Sequence, residues 1–196
     1  DDLRQVWVAE PSDMPGKLVL TMKVSSLTTP PPNYRWYVYF KVPGAENRYF
    51  AAMDTLQGLP QFIYGELPPP LSTPAADFGQ FTVLGELDAT SNYTTDGRIT
   101  LVVDKASLPV PVTNGMELGA LAGSIRQTSN PENGVGLTVD SAAGTETYTV
   151  VGNACVATAV AQASPVVNRE STHRFGGALG LLLLPLLGFA ALRQRR

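Results

Sequence analysis

Polar and apolar residues alternate along most of this chain. Between residues 17 and 27, Leu18, Leu20, Met22 and Val24 fall on one side of an extended backbone, and Lys17, Thr21, Lys23 and Ser25 on the other. A period of two over that length predicts a half-buried strand. Residues 34–42 repeat it, with Trp36, Val38, Phe40 and Val42 set against Arg35, Tyr37, Tyr39 and Lys41. Residues 5–9, 48–54, 61–66, 81–88, 98–104, 117–127, 135–139 and 145–151 carry shorter versions, making about ten strands. The segments between them hold turn chemistry: Pro43-Gly44, Pro68-Pro69-Pro70, Asp96-Gly97, Asn114-Gly115, Asn130-Pro131, Asn133-Gly134 and Ala143-Gly144. No stretch before residue 152 shows a useful helical period. Many short strands separated by Gly and Pro turns predict an all-β, two-sheet β-sandwich, immunoglobulin-like or jelly-roll.

The pattern changes after residue 153. Residues 154–165 are mostly small, and 166–174 are polar. This reads as a linker over 154–174 that follows an extracytoplasmic domain over 1–153. Residues 175–192 are then 18 positions without a charge, closed by Arg193, Arg195 and Arg196. As a helix at ~1.5 Å per residue the stretch spans roughly 27 Å, enough for a thin hydrocarbon core. Arginines at its end are a membrane stop signal that keeps that end in the cytoplasm. The expectation is a single C-terminal transmembrane or sorting helix over 175–196, with the body outside. The body would then reach its place through a removed leader or as the C-terminal part of a larger exported protein.

Composition agrees with this division. Charged residues make up 16% of the chain, while Gly (18) and Pro (16) are plentiful. Residues 1–171 hold 17 acidic and 10 basic side chains, net −7; residues 172–196 hold four arginines and no acid, net +4; together they give the chain's −3. An acidic body excludes nucleic acid as an expected partner, since phosphate rewards clustered Lys and Arg. The basic tail fits a membrane surface.

Gly176 and Gly177 stand at the outer edge of the apolar span, with Gly180, Pro185 and Gly188 inside it. Gly and Pro weaken a helix, which an intramembrane protease requires before it reaches a peptide bond. The Gly-Gly pair, short apolar helix and Arg-rich end resemble the GlyGly-type C-terminal sorting signals of bacteria, which are substrates of rhomboid-like sorting proteases. The resemblance implies cleavage near Gly176 and Gly177 on the outer face, then transfer to the cell surface or secretion. The glycine run is only two long, and there is no Leu-Pro-x-Thr-Gly or Pro-Glu-Pro element. A permanent anchor is the alternative, and Gly176-x-x-x-Gly180 also offers a helix-pairing motif. In the body, Lys17-Leu-Val-Leu-Thr-Met-Lys-Val24, Tyr34-Arg-Trp-Tyr-Val-Tyr-Phe40 and Thr95-Asp-Gly-Arg-Ile-Thr-Leu-Val-Val103 are similar to a β-rich accessory module that recurs near the C-terminus of large exported bacterial proteins. That resemblance brings no catalytic residues.

Candidate chemistry in the body is sparse. The single histidine, His173, and the single cysteine, Cys155, both lie beyond the strand-rich region, so neither a Ser-His-Asp nor a Cys-His arrangement is expected. Glu66, Glu86, Asp88 and Asp104 sit near strand ends, where paired carboxylates could hydrolyse glycosides and where turn acids are also ordinary. Asp88, Asn92 and Asp96 flank one turn and are weak candidates for structural calcium; no other cofactor is expected. Asn92-Tyr93-Thr94 matches a glycosylation acceptor, which means little in a bacterial setting. If Trp36, Val38 and Phe40 face the core, Tyr37 and Tyr39 face outward as a face for a polysaccharide or peptide, or else cover a neighbouring strand or domain. The expected function is a non-catalytic exported domain shown at, or released from, a bacterial surface; the alternative is a carbohydrate- or peptide-binding accessory module of a secreted hydrolase.

Overall fold

The computed structural model describes residues 2–68, 81–127, 137–144, 146–152 and 158–162. Residues 1–164 form one compact unit. All of its described regular structure is β: β1 (Leu3–Ala9), β2 (Lys17–Val24), β3 (Tyr34–Lys41), β4 (Arg48–Asp54), β5 (Gln61–Leu67), β6 (Thr82–Glu86), β7 (Asn92–Tyr93), β8 (Arg98–Asp104), β9 (Glu117–Gln127), β10 (Leu137–Ala143), β11 (Tyr148–Thr149) and β12 (Thr158–Gln162). Two sheets result. The first has the order β12-β1-β2-β8-β7, and the second β10-β9-β3-β4-β5-β6, with β11 also on β9. Every pairing is antiparallel.

Alternation explains why the sheets close on each other. Val6 and Val8 of β1, Leu18, Leu20 and Met22 of β2, and Ile99, Leu101 and Val103 of β8 point from the first sheet. They meet Trp36, Val38 and Phe40 of β3, Tyr49, Ala51 and Met53 of β4, and Leu121 and Ile125 of β9 from the second. Each of these side chains is at most 1% exposed. The layers come closest at Gly123 of β9. A Cβ there would lie 2.7 Å from Val6 Cγ2 and 3.1 Å from Met22 Cε, so only glycine lets β9 approach β1 and β2 this closely. The turns at Asp96-Gly97 and Asn114-Gly115 place their glycines at φ 88° and 85°, the left-handed region that a side chain disfavours.

The ten expected strands all have described counterparts, with three differences. The tenth-to-last pairing shifts: β10 runs Leu137–Ala143 instead of 135–139, and passes the residue where a turn was expected. Two residues, Asn92 and Tyr93, add a short edge on β8. The third difference moves the domain boundary. Thr158–Gln162, expected within the linker, pairs with β1 as the edge of the first sheet, Gln162 opposite Gln5 and Thr158 opposite Val8. Its small side chains hide any alternation in sequence, yet backbone hydrogen bonding needs none. The remaining linker positions, Cys155, His173, the expected helix, Gly176, Gly177, Arg193, Arg195 and Arg196 lie outside the described residues. Among the described residues no helix is long and apolar enough to cross a membrane.

Candidate functional site

The second sheet has two unlike faces. Its inner face forms the core; its outer face carries Arg35, Tyr37 and Tyr39 of β3, Arg48, Phe50, Ala52 and Asp54 of β4, Ile63 and Leu67 of β5, and Ser124 and Arg126 of β9, as the register dictates. An unpartnered sheet face of this kind is ordinarily solvated, but much of this one is buried. Tyr37, Phe50, Ala52, Ile63 and Leu67 form a second apolar cluster, with Tyr39 and Phe81 packed against it.

Phe81 is the element that covers it. Its ring meets Tyr37 edge-on at 5.3 Å and Phe50 edge-on at 5.1 Å between centroids. The guanidinium carbons of Arg35 and Arg126 stand 4.6 and 5.7 Å from the same ring. Gly65 makes this route available. A Cβ at Gly65 would fall 2.0 Å from the Thr82 carbonyl oxygen and 2.8 Å from the Phe50 ring. The backbone at residue 82 therefore crosses directly over Gly65, where the β5–β6 ladder also slips register. The expectation that both tyrosines stand exposed fails for Tyr37, which is 6% exposed beneath Phe81. Tyr39 is half-buried, with the Arg48 guanidinium 4.9 Å from its ring centroid.

At one end of this face lies an open pocket of about 440 Å³, lined by Arg35, Asp54, Leu56, Gln57, Gln61, Ile63 and Val83. Its floor is an ion pair: Arg35 Nη2 donates to Asp54 Oδ2 at 2.9 Å, and both residues are under a tenth exposed. Leu56 N–H reaches Asp54 Oδ1 at 3.4 Å. Gln57 and Gln61 form a polar wall on the β4–β5 turn, and Ile63 and Val83 an apolar one. The sequence singled out Tyr37 and Tyr39 but missed this pocket, because Arg35 and Asp54 are 19 residues apart and become neighbours only through the β3–β4 register.

The acids singled out by sequence are not gathered into one site. Lys17 Nζ bridges Asp88 at 3.0 Å and Asp104 at 3.1 Å. Asp88 also accepts from the N–H and hydroxyl of Thr90. Those hydrogen bonds, the Thr90 backbone N–H first, lower its pKa to about 2. Asp104 is lowered by the Ala106 N–H and by Lys17, and Lys17 is raised by its two acids. Asp96 instead binds Thr94 and Lys23, which lower it. Asn92 Nδ2 donates to the Thr90 carbonyl at 2.8 Å. Asp88 and Asp96 are thus each neutralised by a different lysine, and no cluster of three metal-binding side chains occurs among the described residues. Glu66 accepts from Asn47 at 3.0 Å, and Glu86 is exposed opposite Ile63.

A buried polar centre that sequence reasoning did not find joins three distant segments. Glu10, 1% exposed just after β1, accepts from Lys105 Nζ at 2.5 Å, Tyr148 Oη at 3.1 Å, Val151 N–H at 2.7 Å and Gly152 N–H at 3.1 Å. Burial alone would raise the Glu10 pKa, and this is the largest single influence; Lys105 and the two backbone donors outweigh it and hold it below its usual value. Burial and the Glu10 charge push the Tyr148 phenol up. Compared with protein-family models, curated proteins and solved structures, the chain matches none.

Proposed function

We propose that this chain is a non-catalytic, extracytoplasmic β-sandwich of immunoglobulin-like or jelly-roll kind, displayed at or released from a bacterial cell surface through a C-terminal sorting helix. The observation that carries this reading is the uncharged run over residues 175–192, opened by Gly176 and Gly177 and followed by Arg193, Arg195 and Arg196. The apolar run partitions into the bilayer, the arginines fix orientation, and the glycines weaken the helix where a rhomboid-like protease would cut. The state of the acids supports a non-catalytic body. A general acid at neutral pH needs a raised pKa, whereas Asp88, Asp96 and Asp104 are all lowered by lysines and turn donors.

Intact masses of the protein from membrane and culture-supernatant fractions of its host test the proposal. A species ending near Gly176 or Gly177 is expected. A membrane-bound species that retains Arg196, with nothing shorter in either fraction, overturns the processing step and leaves a permanent anchor. A second reading, a carbohydrate- or peptide-binding accessory module, draws its support from the pocket above Arg35 and Asp54.

A further inference from the structure

The pocket and the free edge of the second sheet meet at one residue. Val83 lines the pocket and also belongs to β6, which among the described strands pairs with β5 alone. Four of the five β6 residues are exposed, including Val83 at 50% and Leu84 at 40%. Edge strands are usually guarded by Lys, Pro or a covering segment, because an unpaired row of N–H and C=O groups accepts another strand. Thr82–Glu86 holds neither Lys nor Pro, and its one charge is Glu86. The opposite edge, β10, also exposes apolar side chains, Leu137 at 79% and Val139 at 44%. No described pocket adjoins it.

We propose that β6 is a docking edge for an extended peptide, which adds to the sheet as a further strand and inserts an uncharged carboxamide side chain, Gln or Asn, into the pocket above Arg35 and Asp54. A strand added to this edge would send alternate side chains to the outer face, where the pocket opens. The pocket floor then selects among them. Arg35 and Asp54 cancel in charge and offer donors beside acceptors. A carboxamide matches that arrangement with its own N–H and C=O. A cationic or anionic side chain would lose hydration and gain no net counter-charge. Gln57 and Gln61 extend the same amide chemistry up one wall, while Leu56, Ile63 and Val83 receive the aliphatic stem. Glu86, on the outer face opposite Ile63, favours a basic residue close by in the same peptide. A saccharide is the less suited occupant, because sugar rings seek exposed aromatic faces, and Tyr37 lies buried under Phe81.

The test uses the full chain in mild detergent and an oriented library of short, end-blocked peptides, each with one position fixed in turn. Selection of Gln or Asn at one position is expected, with slowed amide exchange over Thr82–Glu86 on binding of the selected peptide. Val83→Lys, which places a charge on the edge and in the pocket, should weaken that peptide about tenfold or more. Gln61→Ala, at an exposed position, should erase the carboxamide preference while the thermal melt stays unchanged; it decides the matter if Val83→Lys does not fold. Val139→Lys on the opposite edge should leave binding as it was. The proposal is overturned by a library without positional preference, by equal effects of Val83→Lys and Val139→Lys, or by a bound peptide that leaves β6 exchange unaltered. It is overturned in favour of a saccharide site if N-acetylglucosamine oligomers bind in an Arg35-dependent way and no peptide does.

Discussion

Replacing Glu10 by Gln would test the buried centre that joins β1, the end of β8 and the 148–152 segment. The substitution keeps the size of the side chain and one acceptor oxygen, but removes the charge opposite Lys105, whose side chain is 10% exposed. Removing one partner of a buried ion pair typically costs ~3–5 kcal/mol, because the other charge stays buried without compensation. The residual acceptor places Glu10→Gln near the lower end, about 3 kcal/mol. Glu10→Ala also deprives the Tyr148 hydroxyl and the Val151 and Gly152 N–H groups of their acceptor, at ~1–3 kcal/mol each. That total rivals the whole stability of an ordinary domain, ~5–15 kcal/mol, so Glu10→Ala should scarcely fold. The double variant Glu10→Gln/Lys105→Met removes both charges, and should recover most of the loss. Urea unfolding followed by tryptophan fluorescence measures all three, since Trp36 is fully buried and reports the core. The pH dependence has a definite sign. The folded pKa of Glu10 is depressed, so its contribution is present above the unfolded value near 4.5 and is lost as pH falls through the lower folded one. A Glu10→Gln loss under ~1 kcal/mol, or a double variant no more stable than the single, would refute the reasoning.

Other consequences follow from the same geometry. Phe81→Ala should cost ~2 kcal/mol, less than a fully buried phenylalanine because Phe81 is only half-buried, and Tyr37 should become accessible to solvent quenchers. Gly65→Val, which drives a side chain into the Thr82 carbonyl and the Phe50 ring, should lower the urea midpoint and loosen β6, seen as faster amide exchange over Thr82–Glu86. Gly123→Ala overfills the narrowest point between the sheets; a loss of ~1–3 kcal/mol in the same unfolding assay is expected, and no loss would mean the layers part easily. Carboxyl NMR should find Asp88 ionised down to about pH 2, and Lys17→Met should move its titration upward; stability linked to Asp88 is present above 3.8 and fades as pH falls toward that lower value.

The core was legible in the sequence because a strand pairing the protein interior with solvent writes its geometry as a period of two. Leu18, Leu20 and Met22, and Trp36, Val38 and Phe40, are assigned to the same interior by alternation and by the structure alike. Three features escaped, each for a different physical reason. β12 lacks large side chains, and an edge strand can be held by backbone hydrogen bonds to β1 that leave no mark on composition. The Glu10 centre collects a lysine, a tyrosine and two backbone N–H groups from positions 95 to 142 residues away, so no local spacing announces it. The outer face of the second sheet is the instructive case. Arg35, Tyr37 and Tyr39 alternate with the core residues and so read as a solvated face, which is what alternation ordinarily means. The face is instead covered from the end of a long connection, through one aromatic ring admitted by one glycine. Gly65 alone suggests only a weak point in a strand, and Phe81 alone only the start of another. Their joint meaning depends on the β5–β6 register, in which a residue near the end of one strand crosses the start of the next. The same crossing leaves β6 outermost and its Val83 on the pocket rim, so the device that buries Tyr37 also brings the free edge beside Arg35 and Asp54.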